Sequence, residues 1–470
     1  MAEQIPGARP DQPRSLPLGA ALGGLKRGFA ALGIRNYRLY WSGQVVSLIG
    51  TWMQQVSLPW LVLILGGSGL QLGFVAVLQF GPAMVLAPFG GVLGDRIDKR
   101  KALIATQIAA SGQAFILFAL TATGVVEIPM VMAMAFILGL INAVDMPIRQ
   151  SMAADLVPRH MLPNAIALNS MAFNSARVVG PALAGVIIAV GTTVTGSEIA
   201  GVAVNLAINT VTYSGVLTGL LRMDPSKIRR QERPERHPPV LHSLREGLAY
   251  AARTPLVLWP LVLLAGIAAF GFNFQILLPL FATRILDLGA DGYGALFAAM
   301  GIGSLGGSLT LAFMRQRRAI PLMLIGGVAF VGLLVGISLA RDVWLAAPLI
   351  LGAGYASMMM INTINATVQA NVADALRSRV MALYVTVFAG SAPLGGLFAG
   401  AVAEAWGTPA AFVVGAVLSL ATVGVVGWGL RAAARRGSLG VTTIDSSSRR
   451  PEKGPEGGTS KDVRPASAAR

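Results

Sequence analysis

Runs of apolar residues, each about as long as a bilayer's hydrocarbon core is thick, recur from residue 41 to residue 430. At 1.5 Å of rise per residue, about 20 such residues cross that core as a helix. The runs are 41–65, 70–93, 102–123, 129–149, 164–190 and 199–221, then 257–282, 292–313, 321–340, 344–366, 379–403 and 409–430. Composition agrees: of 470 residues, 54% are hydrophobic and only 12% charged, against about 25% charged in soluble domains. Too little polar surface is available to cover a water-facing globule. In lipid every backbone polar group must be satisfied within the chain, which leaves helices for segments of this length. The expectation is an all-α membrane protein with twelve transmembrane helices.

The net charge of +16 would suggest a nucleic-acid partner in a soluble domain. Here its distribution argues otherwise. All but Arg177, Arg284 and Arg341 of the 37 basic residues fall in 1–40, the alternate short loops, 222–256 or 431–470. That asymmetry is the positive-inside pattern and places both termini in the cytoplasm, with no nucleic-acid role. The expected organisation is an N-terminal arm (1–40), six helices (41–221), a basic linker with a short amphipathic helix (222–256), six more helices (257–430) and a disordered tail (431–470). Leu244, Leu248 and Ala251 define one face of the linker helix. The arm contains no apolar stretch of signal-peptide type. With no cysteine and three histidines, all in polar segments, thiolate and histidine metal sites are not expected.

The two halves resemble each other. At an offset of 215, GPALAG at 180–185 falls on GGLFAG at 395–400, and Ala167-Leu168 on Ala382-Leu383. At 216, Gly90-Gly91 falls on Gly306-Gly307, each pair followed by a basic loop. Parallel repeats of this kind are a transporter arrangement, with the substrate path between the halves.

The segment from Gly90 to Lys101 (GGVLGDRIDKRK) joins the second and third spans. Its glycines permit close helix approach. Asp95 leaves the membrane beside Arg96, Lys99 and Arg100, and a carboxylate there is costly unless paired. A pair made in one conformation and broken in another would bias a two-state element; a plain basic loop that sets topology is the alternative. The segment resembles the G-x-L-a-D-r-x-G-r-R/K loop of the major facilitator superfamily, through Gly91, Leu93, Asp95, Arg96, Lys99 and Arg100. Asp98 departs from it, where glycine is usual. The resemblance extends to all twelve spans in number and order, and implies two pseudo-symmetric six-helix bundles.

Asp145 and Arg149 stand four apart at the end of the fourth span, spaced to pair on one helix face. The resemblance implies that Asp145 joins a charge relay with the loop. In the fifth span, Gly180-Pro181 frees backbone groups and Gly185 keeps a face small. The stretch resembles, in shortened form, the glycine–proline motif of superfamily antiporters. Arg177, four residues earlier, is the one charge near a span's centre, expensive and by default functional. It faces a cavity, pairs with Asp145 or with carbonyls, or anchors the half-to-half interface. DLVPR at 155–159, LPNAIALN at 162–169 and Gly180-Pro181 together resemble the exporter group that includes enterobactin and macrolide exporters.

Polar residues within the first, fourth, seventh and tenth spans outline a cavity: Gln54, Gln55, Asn142, Asn273, Gln275, Tyr355 and Asn362, with Arg177 beside them. Each could instead serve helix packing. No phosphate-binding loop is present, and no constellation suggests an enzyme. The resemblance implies a monomeric secondary transporter in the plasma (inner) membrane. It would export a small amphiphilic molecule of drug, macrolide or siderophore type in exchange for protons, with no cofactor. An importer of the same fold, or a non-transporting sensor or lipid-handling protein, are the alternatives.

Overall fold

The computed structural model describes residues 28–96, 98–228, 240–314 and 319–437, with side chains except at 87–96, 240–244, 312 and 375. The arm before residue 28 and the tail after 437 lie outside it. Six long helices form the N-terminal half: α1 (Arg35–Ile64), α2 (Gly69–Arg96), α3 (Lys99–Ala122), α4 (Ile128–Asp155), α5 (Leu162–Thr195) and α6 (Glu198–Leu221). The linker contributes α7 (Val240–Arg253). The C-terminal half opens with a crossing in two pieces, α8 (Pro255–Gly266) and α9 (Phe274–Arg284). Then come α10 (Ala290–Phe313), α11 (Ala319–Leu339), α12 (Val343–Ala370), α13 (Arg377–Trp406) and α14 (Thr408–Arg435).

Eleven of these stretches are long and apolar enough to cross a membrane. The twelfth, α1, has the length, at 30 residues, but not the hydropathy. Its Gln44, Ser47, Gln54 and Ser57 are buried against protein rather than lipid, so a polar sequence is tolerated there. Helices also run past the apolar stretches at their ends. Residues 35–40, assigned to the arm from sequence, begin α1, and 431–435, assigned to the tail, end α14. Outward faces carry Val194, Val211 and Leu339, all exposed, and Trp344, Trp406 and Trp428 stand exposed near helix ends, as aromatic residues do at a bilayer's two interfaces.

Turns at the end of the bundle away from the termini close on left-handed glycines, Gly66, Gly124, Gly196 and Gly407, a conformation costly to side chains with a Cβ. Asp287 takes the same conformation between α9 and α10, the one described non-glycine residue to do so.

The repeat seen in the sequence is present in the backbone. Shifting α4 by 215 gives both ends of α12, and the 3-10 turn Arg159–Met161 becomes Asp374–Leu376. Equivalent glycines perform equivalent packing. A Cβ at Gly180 would meet Trp52 Cβ at 2.5 Å in α1; one at Gly395 would meet the Ala269 carbonyl at 2.6 Å in the seventh crossing. Across the halves, a Cβ at Gly185 would lie 2.7 Å from Ala290 O in α10, and one at Gly400 2.3 Å from Gly69 O in α2. The α5/α10 and α2/α13 seams thus depend on one repeat position, Gly185 and its counterpart Gly400, as close backbone approach between membrane helices requires.

Both seams are tight at the end of the bundle away from the termini. Gly73 packs on Gly396 and Gly294 on Pro181, Trp60 stacks on Tyr293 with centroids 5.8 Å apart, and Gly69 N donates to Glu404 Oε2 at 2.8 Å. One apolar cluster spans both halves. At the termini end the N-terminal half instead keeps a cluster of its own, built on Tyr37, Tyr40, Leu103, Ile148, Met152 and Leu156.

The seventh crossing is not the single helix expected over 257–282. A π turn at Ile267–Gly271 and a non-helical step at Phe272-Asn273 divide it. α7 docks on the C-terminal half: Glu246 pairs with Arg379, and the Tyr250 hydroxyl donates to Asn371 O while accepting from Ala373 N, both at 3.3 Å. Ala251 lies inward, but Leu248, expected on the same face, is 57% exposed, because Gly247 is the residue laid against the Arg379 carbonyl.

Candidate functional site

Two groups of polar side chains stand inside the bundle, distinguished by whether protein already satisfies them. The satisfied group holds the N-terminal half together. Asp145 is 2% exposed. Its Oδ1 accepts from Thr106 Oγ1 at 2.6 Å and Gln107 Nε2 at 2.8 Å, and its Oδ2 from Arg149 Nε at 2.7 Å. The ion pair with Arg149 runs along one face of α4, as the four-residue spacing suggests. Tyr40 clips the same turn by donating to Arg149 O at 3.1 Å. A buried carboxylate needs this many donors, since transfer from water is otherwise prohibitive.

Lys99 and Arg100 are also occupied, and not within their own loop. Lys99, at the start of α3, pairs with Asp155 at the end of α4, with 13% and 5% of the two side chains exposed. Arg100 donates to the carbonyls of Leu220 (2.7 Å) and Leu221 (3.1 Å), acceptors left over at the end of α6. Asp98 takes an extended conformation and caps α3 through Lys101 N at 3.1 Å. The family's glycine is replaced by a residue suited to the N-cap, and no left-handed turn is needed. Gly91, Asp95 and Arg96 lie on the last turns of α2 rather than in a loop; their side chains are outside the described ones. Asp155 was legible only as part of a motif, not as the partner of Lys99.

Gln54, expected to line a cavity, belongs to the satisfied group instead. Its carboxamide accepts from Asn209 Nδ2 at 2.5 Å and donates to Gln113 Oε1 at 3.3 Å. Gln113 passes on to Met134 O at 3.1 Å. This amide chain ties α1, α3, α4 and α6. Asn273 is likewise internal: its Nδ2 donates to Ala269 O at 2.9 Å, one of the carbonyls loosened where the seventh crossing breaks. Asn362 donates to Ser308 at 3.0 Å across α12 and α10.

The unsatisfied group is different. Gln55 (α1), Asn142 (α4), Gln275 (α9) and Tyr355 (α12) are each half-buried, and their side-chain polar atoms bond to no described residue. One comes from each of the first, fourth, seventh and tenth crossings.

Arg177 on α5 completes the set. It is 7% exposed, and its Nε is sealed without a partner. It does not pair with Asp145. Its guanidinium carbon lies 5.9 Å from the Trp52 ring centre, at the outer limit for a cation–π contact. Trp52 in turn meets Phe173 of α5 at 5.6 Å and Phe297 of α10 at 6.3 Å. Gly180 packs on α1 and Gly185 on α10, as described above, and α5 runs on through Pro181. Pro181 has no N–H, so the carbonyl of Arg177 lacks its helical donor.

A separate cavity of about 410 Å³ opens among the turns away from the termini, lined by Trp60, Ile64, Glu198, Arg284, Asp287 and Leu288. It shares no residue with either group. Among the described residues, no cluster of His, Cys, Asp or Glu suited to a metal ion occurs.

The family described as transmembrane secretion effectors, a branch of the major facilitator superfamily, matches residues 26–437. The chain is 30% identical over 154 residues, 33% of its length, to the staphyloferrin A transporter of Staphylococcus aureus. It is 26% identical over 278 residues, 58% of its length, to the enterobactin exporter EntS of Escherichia coli. These matches span 39% and 62% of the two relatives. Among solved structures, a bacterial homolog of the human lysosomal transporter Spinster, in an inward-facing and unoccupied conformation, superposes with a TM-score of 0.63. It is 18% identical and covers 87% of this chain and 95% of its own, a likeness of fold.

Proposed function

The chain belongs to the transmembrane secretion effector family of the major facilitator superfamily, and from that premise we propose that it exports a small amphiphilic molecule by alternating access, in exchange for protons. It is a multi-pass membrane transporter and not an enzyme. The reading places it in the plasma membrane as a monomer, with both termini in the cytoplasm. It takes the cargo to be of the siderophore, macrolide or drug kind, as the names of the relatives suggest.

One observation carries the reading. Gln55, Asn142, Gln275 and Tyr355, one from each of the four inner crossings, keep hydrogen-bonding groups unspent on any described residue, between two halves whose described seams are tight at the end away from the termini. In a site that binds cargo transiently, polar groups must be available to the ligand. In a purely structural bundle they would be spent between helices, as Gln54 and Asn209 are. With the termini inside, this arrangement would suit a state open to the cytoplasm, from which an exporter loads. Rocking of one half on the other about the two glycine seams would then expose the site outside.

The test is accumulation of candidate compounds in cells lacking the gene, with and without a protonophore. Accumulation that rises on deletion, and rises equally in intact cells given the protonophore, is the expected result. Unchanged accumulation of every siderophore, macrolide and dye tried would refute export, and export indifferent to the protonophore would refute proton coupling. Asp145→Asn adds a finer arm. Loss of the pH dependence of transport would assign the coupling proton to Asp145, and full retention would remove it from that role.

A further inference from the structure

Among the described residues, Arg177 has no counter-charge. Among the described side chains, the carboxylates within the membrane-spanning bundle are Asp145, committed to Arg149, and Asp155, committed to Lys99. Every other described carboxylate stands at a helix end, in a turn or on the linker helix. No hydrogen bond or ion pair reaches the Arg177 guanidinium from any described residue, and its Nε is sealed from solvent. The two terminal nitrogens lack partners too but are not sealed.

A structural anchor would look otherwise. Arginines that hold membrane helices together donate to carbonyls or carboxylates, because an unpaired charge there is expensive. The carbonyl nearest in sequence, freed by Pro181, is the residue's own, and α10 approaches it through Gly301, so the guanidinium takes no share in it. The Trp52 ring at 5.9 Å offsets only a small part of the cost at such a distance.

Beside this cation is an aromatic wall. Phe173, one helical turn before Arg177 on the same face of α5, is 45% exposed and meets the edge of Trp52. Phe297 backs Trp52 from the opposite half. A guanidinium with donors to spare, next to exposed flat apolar surface, is complementary to a ligand that brings both an anion and a ring. Guanidinium binds carboxylate through two parallel hydrogen bonds.

We infer that the cargo is an aromatic or similarly flat carboxylate, whose anionic group pairs with Arg177 and whose ring packs on Trp52 and Phe173. This rests on the export reading of the same site and narrows its cargo. Cations and neutral amphiphiles would leave Arg177 unpaired. The seam between α5 and α10 would then be where the halves sense occupancy, since Arg177 and Phe297 approach it from opposite sides.

The test uses the full-length protein in nanodiscs of zwitterionic lipid, with empty discs subtracted. Three probes share one ring system and differ in charge: pyrenebutyrate, its primary amide and pyrenebutylamine. Energy transfer from tryptophan to pyrene reports occupancy. The butyrate should bind about tenfold more tightly than either of the others. Arg177→Gln should abolish that preference, Arg177→Lys should keep most of it, and Trp52→Phe should weaken the butyrate without reversing the order. Equal binding of the three, preference for the amine, or a preference unchanged in Arg177→Gln would overturn the inference. If Arg177→Gln does not fold, the wild-type order and Arg177→Lys still decide. The export reading fails separately: an amine-preferring protein whose deletion raises accumulation remains an exporter, while a butyrate-preferring one whose deletion changes nothing does not.

Discussion

The two halves share a backbone plan but not the means of holding it. In the N-terminal half the contacts between helices are polar and buried: Asp145 with Thr106, Gln107 and Arg149, Lys99 with Asp155, Gln54 with Asn209 and Gln113. In the C-terminal half the equivalents are apolar. At the offset of 215, Asp145, Arg149 and Asp155 become Met360, Ile364 and Ala370, with Met360 and Ile364 fully buried. Rings fill the middle instead: Phe274 lies 6.3 Å from Phe330 and 6.2 Å from Phe412, and Phe281 lies 5.7 Å from Phe412. A polar network is satisfied in one arrangement of its members, and partial satisfaction is costly. Ring contacts are less exacting. The N-terminal half is accordingly held by the more exacting contacts, and the half with the divided seventh crossing by the more permissive ones.

That contrast can be broken most forcefully at Asp145. Asp145→Met imports the C-terminal counterpart and leaves Arg149 buried without its anion, a loss of about 3–5 kcal/mol. Added Arg149→Ile should recover most of it. Thermal midpoints of the purified protein measure both, and a double variant no better than the single would show that the pair is inseparable from Thr106 and Gln107. Next in size, Asp155→Ala strands Lys99 and should cost about 2–4 kcal/mol. Arg379→Ala in the C-terminal half breaks a half-exposed pair with Glu246 and should cost about 1 kcal/mol or less. Similar costs for the two would erase the distinction between halves.

The seams are predicted to respond alike despite that distinction. Gly185→Val and Gly400→Val each place a side chain against backbone and should hold the halves apart at the end away from the termini. Because the sequence has no cysteine, Tyr293→Cys supplies a single reporter. Its reaction with an impermeant maleimide should rise about tenfold in either variant; a rise in one alone would mean that the seams are unequal. The smallest effect separates two neighbours. Gln54→Ala strands Asn209 and Gln113 and should cost about 1–3 kcal/mol, with cargo recognition unchanged in the protein that folds. Gln55→Ala should shift the midpoint by about 0.5 kcal/mol or less and impair transport.

The pair of glutamines marks where the sequence stopped being legible. Spans and the Asp145–Arg149 pair follow from periodicities that act within one helix, and the repeat from a constant offset along the chain. Gln54 and Gln55 differ by about 100° around α1, and only the packing of α3 and α6 decides which is spent. Lys99 and Asp155 lie 56 residues apart, and their meeting depends on α3 and α4 folding back as a hairpin. The break in the seventh crossing was hidden because Ile267–Phe272 is as apolar as its flanks. The polar character of α1, part of which the sequence suggested lines a cavity, is in large part the mark of a helix packed against protein.

The linker is secured on both sides. At its start Asn36 exchanges two hydrogen bonds with the backbone of Asp224, at 2.8 and 3.1 Å; at its end Glu246 and Tyr250 fix α7 to the other half. From Ile228 to Val240, covalent geometry limits the chain's reach to about 40 Å, whatever its path. The number of residues between the two anchor points therefore sets the largest separation they can reach. If the halves part on the termini side as proposed, deleting a few of those residues would reduce their widest opening, and with it the largest cargo admitted.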